Sequence, residues 1–286
     1  MNCKNLDITP RLMWNENNGY CGETSFICAG MYYGQYCSQY YMRTLAYGSF
    51  GNTQETCQLL LGDNDTAAAQ KAGLSYTPFI GADPQLCMAW IKQQIVAGFP
   101  VTIGLYMNES IFEGGAGDPD YDHIVLVTGI QSNYPLTDST YYPDDVIIFS
   151  DHGLYTPDDG NPPFIYSQVC GDFARSRAQA NDPSAPAYSL PDTQQYAGVF
   201  TGRASSLPLY LRSATNSELP EISGNAQPES LPLVITAYID NLDAAANYQL
   251  TDNTGAMTSI AGVTTWSQLY NVQSGDLAAY TLVEVL

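Results

Sequence analysis

The change of hydrophobic period near residue 100 constrains the fold of this chain more than any other feature. Before it, the stretch "DPQLCMAWIKQQIVAG" has Asp83 as N-cap, Pro84 in the first turn and Gly98 at the end, which predicts a helix. After it, three short segments rich in β-branched residues predict strands at 100–107, 123–130 and 145–151. This order predicts an α+β domain in which helices precede a twisted antiparallel sheet.

Another helix is predicted over 21–33, where small and apolar residues follow one another with few helix breakers. Ala29, Gly30 and Gly34 would let a neighbouring backbone approach closely, so we expect this helix to be buried at the centre of the domain. Further helical patterns lie at 37–47, 54–60 and 64–72.

The composition changes again beyond residue 171. Residues 172–206 are rich in Ala, Pro, Ser, Asp and Gln, and predict a long surface loop. From residue 207 onward, short strand candidates alternate with turn residues, which is typical of a small all-β sandwich. We therefore expect two domains, a helix-and-sheet domain over 1–206 and a fibronectin-like β-sandwich over 207–286.

The charge balance excludes one class of partner. Nine Lys and Arg residues stand against 29 Asp and Glu residues, which gives a formal net charge of -20. Such a chain repels phosphate backbones, so nucleic-acid binding is not expected. A continuous apolar run long enough to span a membrane is also absent from the sequence, so no membrane association is expected.

Several features are typical of a secreted protein. Tyrosine is abundant, with 22 residues, and two N-glycosylation sequons begin at Asn64 and Asn108. The first residues lack the apolar core of a signal peptide, so we expect a secreted mature form whose signal peptide lies outside this sequence. In that setting six of the seven cysteines could form three disulfide bonds and leave one free thiol, and the alternative is seven reduced cysteines in a cytosolic protein.

Cys21 stands where a free thiol would be reactive, at the start of the first predicted helix. The partial positive charge and the unpaired N–H groups of a helix N-terminus lower the pKa of a thiol and can hold a developing oxyanion. Gly22 leaves room for a substrate carbonyl close to the backbone, and the Gly22 region is predicted to form part of the oxyanion hole. The side-chain amide of Asn15, Asn17 or Asn18 would provide a further oxyanion donor.

A nucleophilic thiol also needs a base and a group that orients the base. The sequence contains two histidines, His123 and His152. His123 begins one predicted strand and Asp151 ends the next, so antiparallel pairing of these strands brings the two residues together. His152 is interpreted as a structural or surface residue, and Asp122 as a side chain on the opposite face from His123.

Three segments, "NENNGYCGETS", "DHIVLVTGI" and "IIFSD", resemble papain-like cysteine peptidases, and most of all their C39-like, bacteriocin-processing branch. The resemblance covers about residues 12–155. It implies a papain-like fold in which Cys21 is the nucleophile, His123 the base and Asp151 the group that orients the base. It further implies that the amide of Asn15 contributes to the oxyanion hole.

Glu23 departs from the family pattern, in which a small residue or proline is common at this position. A carboxylate beside a thiolate raises the pKa of the thiol. Two interpretations follow. Either Glu23 contacts the substrate and shapes its choice, or it marks a slow thiol.

The predicted function is therefore a secreted thiol hydrolase that cleaves peptide or amide bonds through a thioester acyl-enzyme, with no cofactor and a peptide or protein as substrate. Two alternatives remain open. One is an acyl transferase that uses the same triad with an amine as acceptor, and the other is a catalytically silent binding or structural protein.

Metal binding is a weaker interpretation. "GDPDYDH" (117–123) begins like a calcium loop and leaves room for a surface calcium site, although His123 occupies the glycine position of such a loop. A zinc site formed by Cys21, His152, Asp151 and His123 has no close-spaced ligand motif to support it.

Overall fold

The structure, a computed structural model, describes residues 1–8, 10, 11, 13, 19–33, 39–47, 55–112, 117–155, 164–203, 210–213, 233–240, 244–252, 256–263, 266–272 and 280–285. Its helices are α1 (Cys21–Tyr32), α2 (Gln39–Tyr47), α3 (Asp65–Lys71), α4 (Pro84–Val96) and α5 (Arg177–Ala180). The strands of the first 203 residues are β1 (Asn2–Asn5), β2 (Leu74–Gly81), β3 (Val101–Met107), β4 (His123–Ser132), β5 (Val146–Ser150), β6 (Ile165–Val169), β7 (Ala174–Arg175), β8 (Tyr188–Pro191) and β9 (Gln195–Arg203). Within the described ranges, no helix is long and apolar enough to cross a membrane.

A nine-stranded sheet dominates this part of the chain and confirms the mixed α+β class. Its main path runs in the order β2, β9, β3, β4, β5 and β6, while β1 pairs with β4 and β8 with β3. These pairings are antiparallel, and the short pair of β7 and β8 is parallel. The predicted helix at 84–96 and the three predicted strands after it are confirmed, and Asp83 caps α4 by accepting hydrogen bonds from Gln85 and Leu86.

The prediction of a long surface loop over 172–206 is wrong. β9 lies between β2 and β3 in the sheet, with Ala197 and Val199 buried. The apolar residues of this strand are confined to the short run 196–200, and the Pro- and Ser-rich residues before it dominate the composition. Gly198 is required there, because a Cβ at this position would collide with the hydroxyl of Tyr76.

Helix α1 is buried along its first ten residues, from Cys21 to Gly30, as the small and apolar sequence predicts. The helix packs against β4, and core residues surround it on all sides. The first residue of α1 is Cys21, which places the thiol at the helix N-terminus.

The expected disulfide bonds are contradicted. The six cysteines among the described residues are all free, while Cys37 lies outside the described residues. Five of the six are buried, namely Cys21 and Cys28 on α1 together with Cys57, Cys87 and Cys170. Buried thiols of this kind behave as small apolar side chains, so their number reflects packing instead of cross-linking.

The last part of the chain contains strands β10 (Tyr210–Ser213), β11 (Leu233–Asp240), β12 (Asn247–Asp252), β13 (Met257–Ala261), β14 (Trp266–Val272) and β15 (Tyr280–Val285). They form two antiparallel three-stranded sheets, in the orders β10-β11-β14 and β13-β12-β15. The β-rich composition predicted after residue 207 is therefore present. A fibronectin-like sandwich and a domain boundary at 206/207 stay predictions, and the boundary itself lies outside the described residues.

A buried ion pair joins α4 to Asp145, the residue before β5. The Lys92 ammonium lies 2.8 Å from Asp145 Oδ2 and donates to Ser132 Oγ at 3.4 Å. The two charged side chains are 2% and 4% exposed. A charge this deeply buried is tolerated only while its partner remains, because transfer of an unpaired ion out of water is costly.

Asp145→Asn is therefore expected to lower the free energy of unfolding by about 3–5 kcal/mol, because the Lys92 ammonium would stay buried without its counter-charge. Urea denaturation followed by circular dichroism measures the loss. The double variant Lys92→Met/Asp145→Leu serves as the control and should recover most of the loss. A single variant within about 0.5 kcal/mol of the natural protein would contradict the expectation.

Candidate active site

The first turn of α1 is hydrogen-bonded to the start of β4. Ser25 Oγ donates to the main-chain oxygen of Ile124 at 3.2 Å, and the Cys21 thiol accepts from the Ile124 main-chain N–H. Cys21 and Ser25 are four residues apart and share one face of the helix. Pairing of β4 with β5 begins only at Leu126, so the polar groups of Ile124 meet the helix at a point that the next strand does not reach.

Burial determines the protonation state of Cys21, which is 6% exposed. It raises the pKa of this thiol from about 9 to about 12. The N–H groups of Ile124, Gly22 and Cys21 itself act in the opposite direction, and the neighbouring Glu23 charge raises the pKa further. Cys21 is thus a neutral thiol held among main-chain donors.

His123 is the first residue of β4 and is 1% exposed. Its Nε2 lies 3.3 Å from the main-chain oxygen of Asp151, an acceptor, so Nε2 carries the proton and Nδ1 holds the free electron pair. Its ring stacks on Tyr188 at 5.7 Å between centroids. Burial lowers the pKa of His123 from 6.5 to about 4, so this imidazole is neutral.

Asp151 lies beside His123, and its main-chain oxygen, not its carboxylate, contacts the His123 ring. The Asp151 carboxylate accepts hydrogen bonds from the main-chain N–H groups of Gly153 at 2.9 Å and Tyr155 at 3.0 Å. Burial raises the pKa of this carboxyl group to about 6, against the effect of those N–H donors. Asp151 therefore holds the turn after β5 with its side chain and orients the His123 ring with its carbonyl.

Glu23 is fully buried, so its side chain lacks the solvent contact expected of a residue that meets a substrate. Its carboxylate accepts from Arg43 Nε at 2.7 Å and from the main-chain N–H of Leu59 at 3.0 Å. Burial raises the pKa of Glu23 to about 7, although the Arg43 charge opposes the shift. The pairing could not be foreseen, since Arg43 lies on a separate helix, α2.

Gly22 is required for packing. A Cβ on this residue would collide with the main-chain oxygen of Leu59 and would come within 3.1 Å of Ile124 Cδ1. The space beside its Cα is therefore filled by the Leu59 carbonyl, whereas the sequence predicted room there for a substrate carbonyl. Its N–H still points to the Cys21 thiol, so a role of Gly22 in an oxyanion hole stays a prediction.

Asn15 and its neighbours Asn17 and Asn18 lie outside the described residues. The role of the Asn15 amide in the oxyanion hole therefore stays a prediction.

The metal interpretations gain no support from the described part of the chain. Within it, His, Cys, Asp and Glu side chains form no group of three or more that could hold a metal ion. In the segment that begins like a calcium loop, the Asp122 carboxylate is already paired with Arg177 and accepts from the main-chain N–H of Met107 at 2.8 Å.

The sequence did not identify Ser25 and His152 as a pair. Both are fully buried, and Ser25 Oγ lies 2.8 Å from His152 Nε2. His152 has a φ of 60°, which is unusual for a residue with a side chain, and its ring makes a T-shaped contact with His123 at 5.7 Å. Two sequence features point to this pair. Gly153 follows His152 and marks a turn there, and Ser25 lies one helical turn beyond Cys21.

The chain matches none of the protein-family models and none of the curated proteins with which it was compared.

The neutral state of His123 predicts a loss of stability in acid. Its pKa is about 4 in the folded protein and about 6.5 in the unfolded chain, so the unfolded chain binds the extra proton first as the pH falls. The contribution is complete above about pH 6.5 and decreases by about 3 kcal/mol as the pH falls to about 4.

Urea denaturation at several pH values, compared with that of His123→Gln, isolates this contribution. The comparison is needed because the raised pKa values of Asp151 and Glu23 oppose the loss over the same range. A difference between the two proteins that stays constant from about pH 7 to about pH 4 would contradict the prediction.

Proposed function

We propose that this chain is a secreted thiol hydrolase of the papain-like, C39-like kind, which cleaves peptide or amide bonds. One observation carries the proposal. Cys21 opens a buried helix whose first turn is hydrogen-bonded to Ile124, the residue next to His123, and His123 in turn meets Asp151. Nucleophile, base and orienting residue thus come from three separate segments in the order that the resemblance implies.

In the proposed reaction, His123 Nδ1 takes the proton from Cys21 Sγ as the sulfur attacks the substrate carbonyl. The N–H of Gly22 and the Asn15 amide would hold the developing oxyanion. His123 then gives its proton to the leaving amine, and a thioester remains on Cys21. Water attacks this thioester with His123 again as base, and the acid product leaves with the thiol restored.

The two protonation states favour general-base catalysis over a preformed ion pair. A thiol with a pKa of about 12 and an imidazole with a pKa of about 4 do not exchange a proton at neutral pH. Proton transfer therefore accompanies attack on the substrate. His123 is suited to this step because Asp151 O fixes its Nε2–H and leaves Nδ1 as the acceptor.

A catalytically silent binding or structural protein is the second candidate, and the burial of Cys21 favours it. The hydrogen bonds of the described residues do not include one between the Cys21 thiol and His123, and both side chains are almost without solvent contact. In this candidate the same residues act only in packing.

Cys21→Ala is expected to reduce the cleavage of a peptide library by about 10³-fold or more, because the covalent step is lost. Cys28→Ala is the matched control, since Cys28 is a buried thiol on the same helix with a pKa of about 11. It should retain activity within several-fold of the natural protein. Mass spectrometry of the library products measures both variants.

Cleavage that survives in Cys21→Ala would contradict the assignment of the nucleophile. A natural protein that cleaves no library member, and transfers no acyl group to an added amine, would favour the silent candidate.

A further inference from the structure

Arg43 contacts residues on both sides of Cys21. From helix α2 its guanidinium donates to the main-chain oxygen of Gly19 at 2.6 Å and to Glu23 Oε1 at 2.7 Å. The same group lies 3.6 Å from the centre of the Tyr20 ring. One side chain thus contacts the two residues that precede the thiol and the acidic residue that follows it by two positions.

Glu23 extends these contacts to a third segment. The oxygen that accepts from Arg43 also accepts from the Leu59 N–H at 3.0 Å, and the Leu59 carbonyl fills the space that a side chain at position 22 would need. The residues from Gly19 to Glu23 are thereby held against α2 and against Leu59. Cys21 lies at the middle of this fixed stretch.

Stability alone does not explain the pair. Arg43 and Glu23 are both fully buried, and a buried ion pair of this kind is often no more stabilising than a well-packed apolar pair. What the planar guanidinium adds is geometry, because it serves a carbonyl, a carboxylate and a ring face at the same time. A lysine ammonium at the same place is a point charge and cannot keep the three contacts together.

We infer that Glu23 and Arg43 form a positioning pair for Cys21, which fixes the helix N-terminus and keeps the thiol in its buried place. The inference rests on the proposed function for the chemistry of Cys21, whereas the positioning itself concerns only the thiol. It also gives Glu23 a role that differs from both interpretations of the sequence. The carboxylate neither meets the substrate nor marks a degenerate site, but holds the nucleophile.

The pKa of Cys21 supplies a readout. Burial is the largest cause of its rise to about 12, and the Glu23 charge is a further cause. If the positioning pair is weakened, the thiol gains solvent and its pKa falls towards the ordinary value near 9. Iodoacetamide reports this change, because it reacts with the thiolate and needs access to the sulfur.

The experiment compares Arg43→Lys with Asp145→Asn in the full chain. Asp145→Asn also breaks a buried ion pair, but at the far end of β4, about 30 Å from His123 along the strand. Peptide mass spectrometry follows alkylation of Cys21 and of Cys28 at a series of pH values. Cys28 reports general opening, because it is buried on the same helix.

Arg43→Lys is expected to accelerate Cys21 alkylation at least about tenfold at pH 8 and to lower the midpoint of its pH profile by at least about one unit. Cys28 alkylation in the same sample should change less than about threefold. In Asp145→Asn the loss of stability opens the protein generally, so the Cys21 and Cys28 rates should rise by the same factor to within about twofold. Equal acceleration of Cys21 and Cys28 in Arg43→Lys, or selective acceleration of Cys21 in Asp145→Asn, would overturn the inference.

The double variant Glu23→Leu/Arg43→Met provides a second arm if Arg43→Lys does not fold. It removes the contacts with Gly19 and Leu59 and leaves no unpaired buried charge. Cys21 alkylation at pH 8 should then accelerate at least about tenfold while Cys28 changes less than about threefold, and an unchanged Cys21 rate would overturn the inference.

Peptide cleavage in the same samples separates the inference from the proposed function. A natural protein that cleaves no peptide, combined with selective Cys21 alkylation in Arg43→Lys, would overturn the hydrolase and leave the positioning pair intact. A natural protein that cleaves peptides, combined with a Cys21 alkylation rate that is unchanged in Arg43→Lys, would overturn the positioning pair and leave the hydrolase intact. Where cleavage is present, kcat should fall in Arg43→Lys with KM nearly unchanged, as expected for displacement of the nucleophile.

Discussion

The contact between the first turn of α1 and the main chain of Ile124 is the constraint on which the rest of the site depends. A strand in a sheet normally gives its N–H and carbonyl groups to neighbouring strands. At the start of β4 these groups meet Cys21 and Ser25 instead, because β5 pairs with β4 only from Leu126 onward. Helix α1 thereby takes the place that β5 has further along β4, and Cys21, the candidate nucleophile, lies where the helix meets the strand.

Burial is the second influence on the chemistry of the site. Cys21, His123 and Asp151 are all nearly without solvent contact. Burial raises the pKa of Cys21 and Asp151 and lowers that of His123, so it favours the neutral form of each group. The main-chain N–H groups around the thiol and the Asp151 carboxylate reduce these shifts but do not reverse them. In the proposed hydrolase, such a site would carry little charge and would depend on groups that are already oriented towards the transition state.

Much of the local structure could be predicted from the sequence, because its signals are local. The cap at Asp83, the β-branched runs and the small residues after Cys21 each act within a few positions, and α1, α4 and β3 to β5 follow the prediction. The proximity of His123 and Asp151 was also predictable, since it needs only two antiparallel strands of known direction.

The rest depended on contacts between distant segments. β9 lacks the alternating pattern of a half-buried strand, and it is a strand because it pairs with β2 on one side and β3 on the other. The partner of Glu23 lies on α2, and the acceptor of His123 is a carbonyl that every residue has, so neither pairing has a sequence signature. The disulfide expectation failed for a related reason, because counting cysteines does not show which of them are core side chains.

The place of β9 in the sheet has a consequence for biosynthesis. The ribosome makes Cys21, His123 and Asp151 well before residues 195–203, yet β9 is the strand that joins β2 to β3. Until it emerges, β2 lacks its sheet partner and β3 lacks one of its neighbours, and contacts of such long sequence separation form slowly. The sheet against which α1 packs is therefore complete only after residue 203 has been made, which couples maturation of the site to synthesis of the first 203 residues.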